Sequence, residues 1–166
     1  MKRRKVTDMK ENITQLFTEI LEKGSDEDLS VLQQVLEGLN NKQHTYINSL
    51  LHMEGGLKEN FFEITIPLHT LVNNPLNILH AGITATVIDT CMGAMVHNAL
   101  PEGFAAVTSQ LNIHYIAPGI GDSITCRARI DHHGTKTMLV SADVFRSDGQ
   151  KIAQASGTFF ILKKNK

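Results

Sequence analysis

A chain of 166 residues that is 42% hydrophobic holds enough apolar material for one domain with a real core, and length alone gives no reason to expect a second. Its 16 basic and 17 acidic side chains nearly cancel, so no global field favours nucleic acid or an anionic membrane as partner. No apolar run reaches the roughly 18 uncharged residues of a membrane span and no secretory h-region opens the chain, so a cytoplasmic protein is expected.

Lys2, Arg3, Arg4 and Lys5 at one end and Lys163, Lys164 and Lys166 at the other read as solvated, frayed ends rather than a phosphate site. Ile13, Leu16, Phe17, Ile20 and Leu21 recur at helical spacing and stop before Gly24, and Leu29, Leu32, Val35, Leu36 and Leu39 repeat the pattern. Two short amphipathic helices are predicted, with Ser25 and Asp28 as a weaker form of the capping box opening the second. They make up an N-terminal extension over residues 1–45 that covers exposed sheet or extends an oligomer contact, since neither helix is stable alone at this length.

A second region, 46–166, changes character. His44 to Met53 reads as a short helix running into a strand, Gly55-Gly56 as a turn or bulge, and Phe61 to Leu68 as a strand. Asn73-Asn74-Pro75 forms a loop feeding a long apolar helix, and Pro101-Glu102-Gly103 ends that helix. Phe104 to Ile116, Asp122 to Asp131, Thr137 to Arg146 and Lys151 to Leu162 are strands, separated by Pro118-Gly119, His133-Gly134 and Asp148-Gly149. Three hairpin-like links imply an antiparallel meander, and the fold class is α+β, with a curved sheet wrapped around one central helix.

The central helix carries the chemistry. From Ile83 to Ala99 it is apolar or small on nearly every side, as expected of an enclosed helix, yet it holds Asp89. A carboxylate there costs several kcal/mol unless partnered or solvated, so it marks a site or a structural network, and position favours the site. The run is His80-Ala81-Gly82, six residues, Asp89, three residues, Gly93. Cys91 and Cys126 have no metal-ligand spacing and read as core thiols in a reducing compartment. His132-His133 reads as a surface turn, without the companions a metal site needs. No Gly-x-Ser-x-Gly elbow, dinucleotide fingerprint or phosphate loop occurs, which argues against a serine triad and against nucleotide-cofactor chemistry.

This arrangement resembles the hotdog-fold acyl-CoA thioesterases of the phenylacetyl-CoA thioesterase-like type, whose members usually carry His-Gly-Gly-x6-Asp-x3-Gly. Asn74 lies six before His80, and Val107 to Pro118 looks like the family's long strand and its proline exit, so the resemblance spans Ile47 to Leu162. It implies a hotdog fold, hydrolysis of an aryl- or medium- to long-chain acyl-CoA, and a homodimer or homotetramer built as a dimer of dimers. It also implies helper roles for Asn74 and for Thr108, where relatives often have serine. Coenzyme A would enter only as part of the substrate, and no separate cofactor or metal is expected. Ala81 departs from the family's glycine: at a helical φ alanine costs nothing and narrows the space for the thioester, whereas at a positive φ it would be strained by about 1 kcal/mol.

Thioester hydrolysis needs an anion to attack or to activate water, and a donor for the developing oxyanion. Asp89, in its ionised form, supplies the first as nucleophile or general base. The first-turn N–H groups of Ala81 and Gly82 supply the second, lying at the positive end of the helix dipole. At 1.5 Å per residue these groups stand roughly 12 Å apart on one helix, so no carbonyl touches both. A two-fold dimer that brings the helix tip of one subunit to Asp89 of the other solves this, and the resemblance implies the same composite site. His80 is a candidate site residue that would hydrogen-bond locally to fix the loop before the helix; it reads first as a capping or packing histidine, and not as the general base. Lys136, Arg146 and the C-terminal lysines are candidates for the phosphates of coenzyme A, each more often a solvated charge. The rival readings are a non-catalytic acyl-CoA sensor with a helical DNA-binding segment, against which stands the scarcity of Arg and Lys between Val6 and Leu50, and a hotdog dehydratase, whose motif is missing.

Overall fold

The structure, a computed structural model, describes residues 2–42 and 45–164. It forms two compact units, Met1–Leu50 and Leu51–Lys166. The first holds α1 (Lys2–Lys23), α2 (Asp26–Asn40) and the short α3 (Tyr46–Leu50). The basic opening, expected to fray, is the first turn of α1, which is a 22-residue helix rather than a short one. The Gly24 N–H closes α1 on the carbonyl of Ile20 at 2.8 Å. Ser25 then opens α2 with both arms of a capping box: the Asp28 N–H donates to Ser25 Oγ at 3.2 Å, and the Ser25 N–H donates to Asp28 Oδ2 at 2.9 Å. Ile20, Val31, Leu32 and Val35 line the groove between these helices. His44, where a helix was expected to begin, lies outside the described residues, and α3 starts at Tyr46.

The second unit runs β1 (Glu54–Leu57), β2 (Phe62–Pro67), a 3-10 turn (Thr70–Val72), α4 (Ala81–Ala99), β3 (Phe104–Tyr115), β4 (Ser123–His133), β5 (Thr137–Arg146) and β6 (Lys151–Lys163). Gly55 and Gly56 are not a turn: they sit inside β1 and pair with Ile64 and Glu63 of β2. His132 and His133 likewise belong to the end of β4, paired with Leu139 and Met138. The six strands form one antiparallel sheet in the order β1-β2-β4-β5-β6-β3. The expected four-strand meander is therefore corrected to three strands, β4 to β6. β2 takes the place beside β4, and β3 pairs along β6 at the far edge, so the segment through Pro118-Gly119 is a crossover between edge and centre.

The sheet curves around α4, which lays Thr84, Val87, Ile88, Cys91, Met92 and Val96 on it at the spacing of one helix face. Ile66, Ile124, Met138, Val140 and Val144 meet that face from the strands, fully buried, and each such aliphatic side chain contributes about 1.5–3 kcal/mol. Cys91 and Cys126 belong to this core as free thiols. The Cys91 thiol donates to the Phe62 carbonyl at 3.3 Å. Hydrogen bonding to Cys91, then burial, pushes the Cys126 thiol well up from its ordinary value. The helix is not enclosed on every side, however. Gly82, Thr86, Asp89 and Gly93 share its other face, where Thr86, Asp89 and Gly93 are half-buried and Gly82 is exposed. Among the described residues no helix is long and apolar enough to cross a membrane.

The cap of α2 makes the first unit acid-sensitive. Hydrogen bonds from the Ser25 hydroxyl and then its N–H hold the Asp28 carboxyl below the ordinary carboxylate value. A lowered folded-state pKa means stabilisation that is complete above the unfolded value and lost as pH falls through the folded one. Amide hydrogen exchange at Glu27–Leu29, corrected for intrinsic rates, should accelerate on acidification through and below the usual aspartate range. Ser25→Ala should show the faster exchange already at neutral pH, and equal protection in both proteins would contradict this.

Candidate active site

The loop before α4 is tied down by its own backbone. The Asn74 N–H donates to the Ile78 carbonyl at 2.8 Å, the Asn77 N–H returns to Asn74 at 2.9 Å, and the His80 N–H donates to the Val72 carbonyl at 2.9 Å. Asn77 takes the left-handed conformation, at φ 60°, that closes this loop. Asn74 Oδ1 accepts the Leu76 N–H at 2.9 Å, which directs its Nδ2 the other way.

His80 is the N-cap of α4. Its Nδ1 accepts the Gly82 N–H at 2.9 Å. The carbonyl of His80 accepts from the N–H groups of Ile83 at 3.0 Å and Thr84 at 3.1 Å. Of the two amides expected to form an oxyanion hole, Gly82's is thus spent on the histidine. Ala81's has no partner among the described residues and is the one left at the positive end of the helix. Ala81 starts the helix and is absent from the positive-φ positions, so alanine is unstrained here. The next glycine is fixed by packing: a Cβ on Gly82 would lie 3.0 Å from His80 Nδ1 and 3.1 Å from its Cε1.

Two turns along, Asp89 Oδ1 accepts the Thr108 hydroxyl at 2.7 Å. Its Oδ2 has no partner among the described residues. Thr108 comes from β3 at a bulge, where the pairing with β6 shifts between Thr108 and Gln110. The structure brings Asp89 and Thr108 together, and His80 and Gly82 together. It leaves Ala81 and Asp89 eight residues apart on one helix, about 12 Å at the helical rise. Asn74 and Ala81 line a cavity of about 390 Å³, together with apolar side chains that include Ile78, Ile116, Pro118 and Ile152.

Neither the fold nor the motif stands alone. The thioesterase superfamily profile matches residues 76–153. A protein of Bacillus halodurans solved with CoA is 40% identical and superimposes with a TM-score of 0.81, covering 87% of this chain and 99% of that one. A protein named as an esterase in Halobacterium salinarum is 30% identical over 60% of this chain and 73% of its own length. The chain belongs to the thioesterase superfamily. It is a thioester hydrolase on a hotdog fold, and the PaaI protein of E. coli, with a TM-score of 0.68 at 19% identity over 80% of this chain and 96% of that one, shares that fold. Mouse acyl-coenzyme A thioesterase 13 is 33% identical over 51% of this chain and 61% of its own length.

Within this thioesterase several charged candidates are accounted for. Arg146 donates from Nε to Asp148 Oδ1 at 3.1 Å in the β5–β6 turn, and the same pairing raises the arginine's pKa and lowers the aspartate's. Lys163 and Lys164 are exposed, and Lys166 lies outside the described residues. Away from the motif, His69 has both ring nitrogens buried without a hydrogen-bond partner among the described residues. Burial, then the neighbouring His52, lowers its pKa, so its ring is held neutral. The residue that pattern reading passed over at the site is Tyr115, whose hydroxyl donates to the Ala81 carbonyl at 2.9 Å.

The histidine cap predicts an asymmetry between adjacent positions. Gly82→Ala should displace the imidazole and lower stability by about 1 kcal/mol, the usual cost of a lost N-cap. Ala81→Gly should keep the cap and cost no more than a few tenths. Thermal denaturation of the two variants checks this, and equal melting temperatures would refute the packing account.

Proposed function

We propose that the protein hydrolyses the thioester of an aryl- or medium- to long-chain acyl-CoA at two equal sites of a two-fold dimer. In each site Asp89 of one protomer faces the Ala81 N–H of the partner subunit. The observation that carries this is the division of labour on α4: a carboxylate held at Oδ1 by Thr108 and open at Oδ2, and an unspent amide about 12 Å away at the helix tip. One helix cannot close that gap on a single carbonyl, whereas two antiparallel helices related by a two-fold axis can.

Other features support the reading. The Asp89 face carries small residues at Gly82, Thr86 and Gly93, and a Cβ on Gly93 would meet only Phe159 Cε1 at 3.8 Å, an ordinary contact. Packing within the protomer therefore gives no reason for glycine there, while a substrate or a partner helix passing over Asp89 does. Asn74 Nδ2, without a partner among the described residues, lines the same cavity as Ala81 and serves as a second group for the oxyanion. The apolar cavity next to both takes the hydrocarbon part of the substrate. CoA in the Bacillus halodurans relative and the acyl-coenzyme A substrate named for the mouse relative favour a CoA thioester.

In this scheme the thioester carbonyl lies against the Ala81 N–H, the positive end of α4 stabilises the charge that grows on its oxygen, and Asp89 either attacks the carbonyl carbon or takes a proton from water that does. Thr108 orients the carboxylate so that Oδ2 faces the reacting atoms. The C–S bond then breaks and CoA leaves as thiolate, taking up a proton; in the general-base route the acid forms directly, and in the attack route water hydrolyses the acyl–Asp89 anhydride to release the acid and restore the carboxylate.

Asp89→Asn should lower kcat at least about 100-fold with the fold intact, the cost of losing a catalytic base. Ala81→Pro is a matched test of the amide. Proline is favoured at the first position of a helix and suits the extended conformation of His80 before it, at φ −65° and ψ 131°, so it deletes one N–H with little strain. The loss of one oxyanion donor should cost on the order of 10²–10³ in kcat. Unfolded and refolded together in equal amounts, the two inactive variants should recover roughly a quarter of wild-type activity, since half the dimers are mixed and each mixed dimer holds one intact site. No recovery would rule out the shared site. Tight binding of an acyl-CoA panel by the wild type without turnover would favour a sensor instead.

A further inference from the structure

β3 touches α4 through two polar contacts, and the second has no role in the scheme above. Thr108 donates to Asp89 Oδ1 at 2.7 Å, and Tyr115 donates to the Ala81 carbonyl at 2.9 Å. They lie seven positions apart in the chain. In an unbroken strand side chains alternate, so an odd separation would turn these two to opposite faces. The bulge removes the conflict. Thr108 pairs with Phe159 and Gln110 with Thr158, which makes Ser109 the extra residue, its hydroxyl donating to the Thr158 carbonyl at 2.9 Å. Before it the even-numbered Ala106 packs against the core; after it the odd-numbered Leu111 and Ile113 do. Thr108 and Tyr115 therefore both face the helix.

The tyrosine acts on the peptide next to the unspent amide. The Ala81–Gly82 peptide is gripped at both ends, its carbonyl by Tyr115 and its N–H by His80 Nδ1 at 2.9 Å. The preceding His80–Ala81 peptide is held by its carbonyl through Ile83 and Thr84. Both peptides flanking the Ala81 Cα are thus fixed, and the Ala81 N–H is left without a partner among the described residues. We propose that Tyr115 is a positioning residue of the thioesterase site, which the Ser109 bulge turns toward α4 so that one edge strand aims both the carboxylate and the oxyanion amide. The proposal rests on the reading of Ala81 as oxyanion donor.

Tyr115 is half exposed, so loss of its hydroxyl leaves the fold nearly unperturbed. Tyr115→Phe should lower kcat about 10-fold, a modest fraction of what misplacement of a reacting group can cost, with KM for the acyl-CoA within about 2-fold and the melting temperature within about 2 °C of wild type. The decisive measurement is the double variant. If the hydroxyl works through the Ala81 N–H, Tyr115→Phe should have no further effect on kcat in the Ala81→Pro background. Unchanged kcat in the single variant, or the full fall persisting when both substitutions are combined, would overturn the role. Wild-type kcat in Ala81→Pro itself would instead remove the oxyanion reading beneath it.

Discussion

A helix is rigid on the scale of a chemical bond, and that rigidity governs everything proposed for this thioesterase. The carboxylate of Asp89 and the N–H of Ala81, the two groups the proposal uses, lie on one α4 face and tip, separated by two turns that cannot shorten. Each is prepared within the protomer: Thr108 takes one carboxylate oxygen, and His80 takes one of the two first-turn amides. Of these groups, one oxygen and one N–H have no partner among the described residues, and they are too far apart to serve a single carbonyl. On the proposed reading the pairing of protomers is part of the catalytic group itself, and an isolated chain holds two half-sites that never meet.

The sheet serves this helix in two ways. Its centre buries the apolar stripe from Thr84 to Val96, which fixes the helix's rotation and so which residues face outward. Its edge strand β3 reaches past the stripe and touches the polar positions. The crossover that sends β3 to the far side of β6 therefore has a chemical consequence, because a meander neighbour of β4 would lie elsewhere on the sheet. Topology delivers the threonine and the tyrosine, and the bulge delivers their facing.

Much of this was legible in the residues, for identifiable reasons. The long helix, the strands and the Ser25–Asp28 cap follow from short-range periodicity and hydrogen-bonding chemistry, which a linear pattern records directly. Asp89 stood out because charge is costly amid apolar neighbours. What the pattern hid was long-range. Strand composition does not name a strand's partner, so β3 reads as part of a meander it does not join, and Gly55-Gly56 reads as a turn or bulge although it pairs in register with β2. Tyr115 was hidden by parity, since its separation from Thr108 points the wrong way unless an inserted residue at Ser109 is known. The first-turn amides looked equivalent until the His80 ring was seen to claim one of them.

That claim also sets positions 81 and 82 apart in the room each has for a side chain. Position 81 begins the helix with an ordinary backbone conformation, so a methyl group there strains nothing and leaves the N–H in place. Position 82 lies under the imidazole, and a methyl group would press on the very atoms that hold its amide. A side chain two residues past a histidine cap therefore makes the ring give way by a few tenths of an ångström. By taking the amide of Gly82, the ring leaves the Ala81 N–H as the first-turn donor without a partner among the described residues, and Asn74 lines the same cavity. The change from glycine to alanine at 81 then acts on shape alone: it narrows the approach to the amide without altering the electrostatics that a developing oxyanion would meet.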